Sequence, residues 1–154
     1  MNKIVLFLVF ILVFNCQSRK YKDNYKIIDF DSAITQVNNE NLGYPHYKRN
    51  SRTSLNDTEI SLFFSILEDS LKSYNDENGN HQIDINEYRF FIIPTLNDKK
   101  EEILLIYSYR CDPQNEWIDL SDWFMVFDGG NSYFRTKINL TKKTGGRIIP
   151  NGEA

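Results

Sequence analysis

In the middle of the chain, apolar residues recur at helical spacing: Ile60, Phe63, Phe64, Leu67, Leu71 and Tyr74 share one face, while Glu68, Asp69 and Lys72 lie off it. The start of this helix is also written in the sequence. Asn56 is a good N-cap, Glu59 three residues later completes a capping box, and Leu55 is placed to pack on Ile60 as a hydrophobic staple. The period then changes. Residues 87–95 are rich in aromatic and branched side chains, and Pro94 argues against a helix there. After a turn at residues 97–100, residues 102–109 read as a second strand. Residues 111–115 read as a loop, and 118–127 as containing a third strand. Asp128-Gly129-Gly130-Asn131 is the strongest turn signal in the chain. Beyond it, Phe134, Thr136, Ile138 and Leu140 alternate with Tyr133, Arg135, Lys137 and Asn139, so one face is expected to be core and the other wet.

The flanking segments are less patterned. Residues 25–30 suit a short first strand, and Asp31 or Ser32 a cap for a brief helix through Val37. Residues 38–54, dominated by Asn, Gly43, Pro45 and basic side chains, read as loop. Arg147-Ile148-Ile149 suits a last short strand. The expectation is an α+β fold over residues 25–154, one domain. One long amphipathic helix packs on an antiparallel β-meander of four to five strands.

The most continuous apolar run lies elsewhere. Residues 4–14 are apolar without interruption, behind Asn2 and Lys3 and ahead of Asn15, Cys16 and the polar Gln17-Ser18-Arg19-Lys20. A bilayer span needs about 20 such residues, so this is the layout of a secretory signal peptide and not of a permanent anchor. Val13 and Asn15 are poor choices for ordinary signal peptidase, which wants small residues there. Leu12-Val13-Phe14-Asn15-Cys16 resembles a bacterial lipobox, with Phe14 and Asn15 departing from the strict form. That resemblance implies a lipoprotein signal peptide over residues 1–15 and Cys16 as the lipidated first residue of the mature chain. Residues 16–24 then form a tether, and the acyl chains hold the protein to a membrane of the cell envelope. With Cys16 acylated, Cys111 is a lone thiol, read as a small apolar residue at a strand end and not as a nucleophile.

The chain has 154 residues, 41% of them hydrophobic, and a formal net charge of −3. Cleavage after residue 15 removes Lys3 and no acid, leaving −4. That sign, with the envelope location, disfavours a nucleic-acid partner. No HExxH, CxxC pair, phosphate loop or G-x-S-x-G is present, and the two histidines, His46 and His81, lie in polar loops. No catalytic residue is assigned. The expected function is that of a non-enzymatic binding module, whose candidate contact surface is the polar row Tyr133, Arg135 and Lys137.

Two further chemistries have candidate residues. Residues 76–87 match a calcium-binding EF-hand loop, with Asp76, Asn78, Asn80, Asp84 and Glu87 at ligand positions one, three, five, nine and twelve. His81 takes the place normally held by glycine, and strand residues follow where an exit helix belongs. Turn chemistry alone also accounts for this Asn/Asp/Gly-rich connection. Asp119 and Asp122, flanked by Trp117 and Trp123, suit a glycan-binding groove, although such aromatics also serve as core.

A last observation concerns Tyr88-Arg89-Phe90, Ile93-Pro94, Cys111, residues 128–134, Lys137-Ile138-Asn139-Leu140 and Asn151-Gly152-Glu153-Ala154. Over residues 86–154 this pattern resembles a group of small uncharacterised Bacteroidetes proteins that commonly carry a secretory or lipoprotein leader. The resemblance rests on turn and strand residues and implies a location, not an activity. In that phylum, surface-exposed lipoproteins have acidic residues just after the cysteine. The neutral-then-basic Gln17-Ser18-Arg19-Lys20 implies retention at the outer membrane, facing the periplasm.

Overall fold

The computed structural model describes residues 24–36, 47–79, 81–111, 117–123 and 129–152. The leader, Cys16 and the tether to residue 23 lie outside the described residues, as do Asn80, residues 112–116 and residues 124–128. In chain order the elements are β1 (Tyr25–Ile27), α1 (Phe30–Gln36), β2 (Lys48–Arg49), α2 (Asp57–Glu77), β3 (Tyr88–Leu96), β4 (Glu102–Arg110), α3 (Leu120–Trp123), β5 (Tyr133–Asn139), β6 (Thr144–Gly145) and β7 (Ile149–Pro150). Single 3-10 turns precede β3 and β5, at Ile85–Glu87 and Gly130–Ser132.

The long helix begins where its cap chemistry places it. Asn56 Oδ1 accepts from the Glu59 N–H at 3.0 Å, and Glu59 Oε2 accepts from the Asn56 N–H at 2.8 Å. Both halves of the capping box are therefore made, satisfying two of the donors a helix start leaves open. Arg52 doubles the anchor. Its Nη2 meets both Glu59 oxygens at 2.6 and 2.7 Å, and its Nη1 meets Glu102 at 3.2 Å, joining the helix start to β4.

Seven strands form one sheet, α+β with mainly antiparallel pairing. β3, β4 and β5 make a full-length antiparallel meander, with Ile92 opposite Ile106 and Ile106 opposite Thr136. Each outer edge is then covered by two short pieces. On β3, β1 runs parallel along Phe90–Ile92 and β2 antiparallel along Thr95 and Leu96. On β5, β6 covers Ile138 and Asn139, and β7 covers Phe134 and Arg135.

Both faces of this sheet carry apolar clusters. Against α2, Phe63, Phe64 and Leu67 meet Phe90, Ile92, Leu104, Ile106, Phe134 and Ile138. The rings of Phe63 and Phe64 each meet Phe90 edge-on, at 6.4 and 5.9 Å. Each such fully buried phenyl contributes roughly 1.5–3 kcal/mol of transfer free energy. On the other face Phe91, Ile93, Leu105, Tyr107 and Tyr109 lie under Phe30 and Ala33 of α1 and Leu120 of α3. Close approach shapes the β6 corner. A Cβ on Gly145 would overlap Ser70 Oγ and stand 3.2 Å from Ile66 Cγ2, so only glycine lets β6 lie this near α2.

Several expectations are corrected here. The sheet has seven strands and not four or five, because the edge pieces of two or three residues are too short to show a period. The second face is covered where β3 and β4 form it: these strands are buried along nearly their whole length, as their unbroken apolar runs require of strands covered on both sides, whereas β5 keeps a partly exposed row there. Residues 118–123 show no strand: β4 pairs directly with β5, and this part turns into α3 with Leu120 buried, while residues 124–127 of the expected strand lie outside the described residues. Residues 38–54 contain β2. Finally, α1 is capped by Asp29 and not by Asp31 or Ser32: its carboxylate accepts from the Ser32 N–H at 3.0 Å and from the Ser32 hydroxyl. The alternation in β5 stands as read, with Phe134, Thr136, Ile138 and Leu140 all buried.

Candidate functional site

A surface cleft of about 520 Å³ lies between the last turns of α2 and the connection that leads to β3. Leu71, Ile83 and Ile85 supply its apolar residues, and Asp76, Asp84, Glu87 and Arg110 are among its charged ones. Asn75 fixes the connection. Its Oδ1 accepts from the Ile83 N–H at 2.8 Å and its Nδ2 donates to the Ile83 carbonyl at 3.0 Å, so one amide serves both backbone groups of a residue that is only 3% exposed. Asn131 closes the other side. It accepts from the Tyr74 hydroxyl at 2.8 Å, donates to the His81 carbonyl, and through its own carbonyl accepts from the Tyr88 hydroxyl. Burial raises the Tyr88 phenol above its usual range, opposed by the Arg110 guanidinium 5.8 Å from its ring.

Three of the five calcium-loop candidates line this cleft: Asp76, Asp84 and Glu87. Two of them have other work. Glu87 pairs with Arg110 at 2.9 Å, and Asp84 Oδ1 accepts from the Asn86 N–H and side-chain amide at 2.9 and 2.7 Å. Asn78 is the C-cap of α2, with its amide donating to the Tyr74 carbonyl. Asn80 lies outside the described residues. Among the described residues, the non-glycine residues with positive φ are Lys100 and Lys143, and His81 is not one of them. Among the described residues, no three His, Cys, Asp or Glu side chains are grouped to hold a metal ion. Arg110 and Asn75, which complete the cleft, carried no motif and were missed.

Tyr133, Arg135 and Lys137 come together as one row of β5, on the sheet face opposite α2. The row is set by its neighbours. Tyr133 packs against the second apolar cluster, and Arg135 stands between Tyr107 of β4 and Ile149 of β7. Ile149, 38% exposed, is the exposed large hydrophobic residue among those described. Lys137 is held by Gly146, whose N–H donates to the Lys137 carbonyl at 2.7 Å. A Cβ there would stand 2.9 Å from Lys137 Cγ. Beneath this corner Glu101 accepts from Lys142, Asn97 and Asn139, each at 2.9 Å, which holds its carboxyl down to about 2.

The remaining candidates are placed apart from both. Trp117 packs on Phe91 and Tyr109 at 5.4 and 6.1 Å, with Lys26 Nζ 4.6 Å and Arg89 Cζ 5.2 Å from its ring. Its surroundings are thus the protein's own rings and cations. Trp123 ends α3, and Asp119 and Asp122 are exposed. Cys111, a thiol, is half-buried against the second cluster, and its N–H donates to the Glu87 carbonyl at 2.9 Å. Among the described residues no helix is long and apolar enough to cross a membrane. Compared with known proteins, the chain matches no family model, no curated protein and no solved structure.

Proposed function

We propose that the chain is a lipid-anchored protein of the cell envelope, held at the outer membrane through Cys16 and facing the periplasm. On this reading its folded domain is a non-enzymatic module that binds an envelope partner. One observation supports a contact surface on β5 above other places: Tyr133 and Arg135, residue types that dominate binding energy at interfaces, stand beside the exposed Ile149. The anchor rests on the leader and on Cys16. Mass spectrometry of the envelope protein tests that half: an acylated Cys16 peptide is expected, and an unmodified one refutes it. Crosslinking in intact envelopes tests the other half. A specific partner should be recovered with the native chain and lost with Tyr133→Ala/Ile149→Asp; recovery of none ends the reading.

A calcium-stabilised module is the second reading, favoured by the convergence of Asp76, Asp84 and Glu87 on one cleft. It requires a calcium-dependent rise in melting temperature that Asp76→Ala and Glu87→Ala abolish. An unchanged melt at millimolar calcium excludes it.

A further inference from the structure

The chain is acidic overall, yet residues 129–152 contain Arg135, Lys137, Lys142, Lys143 and Arg147 and no Asp or Glu. These residues form one edge of the sheet. Arg135 and Lys137 lie on the same face of β5. Arg147 sits along that strand's outer edge, between Gly146, bonded to Lys137, and Ile149, paired with Arg135. Lys142 is neutralised by Glu101 at 2.9 Å. Arg135, Lys143 and Arg147 form no ion pair with any described residue, and Lys143 and Arg147 are exposed. A net-negative protein thus presents unneutralised cations along this edge, with Arg135 paired to the exposed Ile149 and Arg147 two residues before it.

The chain enters the fold at β1, on the outer edge of β3, whereas β7 lies on the outer edge of β5. Four strand spacings of about 4.8 Å put the two roughly 19 Å apart. The basic edge is therefore the edge opposite the one by which the chain enters the fold.

We infer that the edge formed by β5, β6 and β7 recognises an acidic segment of a partner protein, with Arg135 and Arg147 meeting carboxylates around Ile149. This rests on the reading of that face as the contact surface. Arginine suits the role, since its planar fork matches a carboxylate in two hydrogen bonds.

The test uses the full-length chain in neutral detergent and a fluorescein-labelled poly-glutamate peptide as probe, followed by anisotropy. Binding is expected, with shifts confined to residues 133–150 in amide spectra. Arg135→Glu/Arg147→Glu should weaken it by roughly tenfold or more. Raising salt from about 0.05 to 0.3 M, which shortens the screening length from roughly 14 to 6 Å, should weaken it as well. Binding that the double reversal leaves intact overturns the inference. So does binding to phosphatidylglycerol vesicles without binding to the peptide, which would assign the edge to a lipid surface. In envelope crosslinking, a partner lost with Ile149→Asp but kept with the double reversal sinks the acidic-partner inference while the contact surface stands. Loss of neither removes both. An unchanged circular-dichroism melt of each variant establishes that it is folded.

Discussion

Replacing Asn75 with alanine isolates the most economical contact in the protein. The side chain satisfies both the N–H and the carbonyl of Ile83, at 2.8 and 3.0 Å, and Ile83 is 3% exposed. Truncation leaves both groups without that partner. An unsatisfied buried polar group costs about 1–3 kcal/mol, and the partly open cleft lets water recover part of it. The expected loss is about 2–3 kcal/mol. For a domain of this size that lowers the melting temperature by roughly 6–12 °C. Asn75→Asp keeps the acceptor for the N–H but sets a carboxylate against the Ile83 carbonyl, so it should cost nearly as much. Urea unfolding at neutral pH reads the change as a shift in midpoint at constant slope. A loss below about 0.5 kcal/mol for Asn75→Ala would refute the claim that this amide holds the connection.

Three further outcomes are expected. Gly145→Ala should destabilise by about 1–3 kcal/mol through overlap with Ser70 Oγ, and Ser70→Ala in the same chain should recover part of that in a double-mutant cycle; strict additivity would refute the overlap. Asn56→Ala should cost about 1–2 kcal/mol in urea unfolding, since it removes one half of the capping box; an unchanged midpoint counts against that role. The Glu101 carboxyl is lowered from its usual 4.5 to about 2, so its stabilisation is complete above the unfolded value and is lost as pH falls towards the folded one. Glu101→Gln should flatten the acid limb of stability between those two values, and an identical limb in both proteins would overturn the assignment.

What the sequence made legible is what is written locally. The capping box and the six apolar positions of α2 specify a helix from its own residues, and the alternation of 133–140 specifies a strand with one buried side. The rest depends on pairing at a distance. Nothing in Tyr25–Ile27 states that it lies parallel to Phe90–Ile92, and Lys48-Arg49 joins the sheet through backbone bonds that side chains do not announce. The second core was signalled more faintly, by the lack of alternation in β3 and β4. Residues 118–123 were misread because an Ile- and Leu-bearing segment fits a buried strand and a short helix equally well. At the candidate sites, the β5 row was visible from its period. The basic edge was not, because it needs Arg147 to return beside Arg135.

The pairing of two short pieces along each flank of the central meander has a consequence for how copies of the domain meet. A full-length outer strand would offer its neighbour nine or so aligned donors and acceptors, the template from which sheets grow between molecules. Here that line is broken twice, at the junction of β1 with β2 and at that of β6 with β7, and Pro150 withholds one donor more. Copies that meet edge to edge therefore find no long strand along which to zip together.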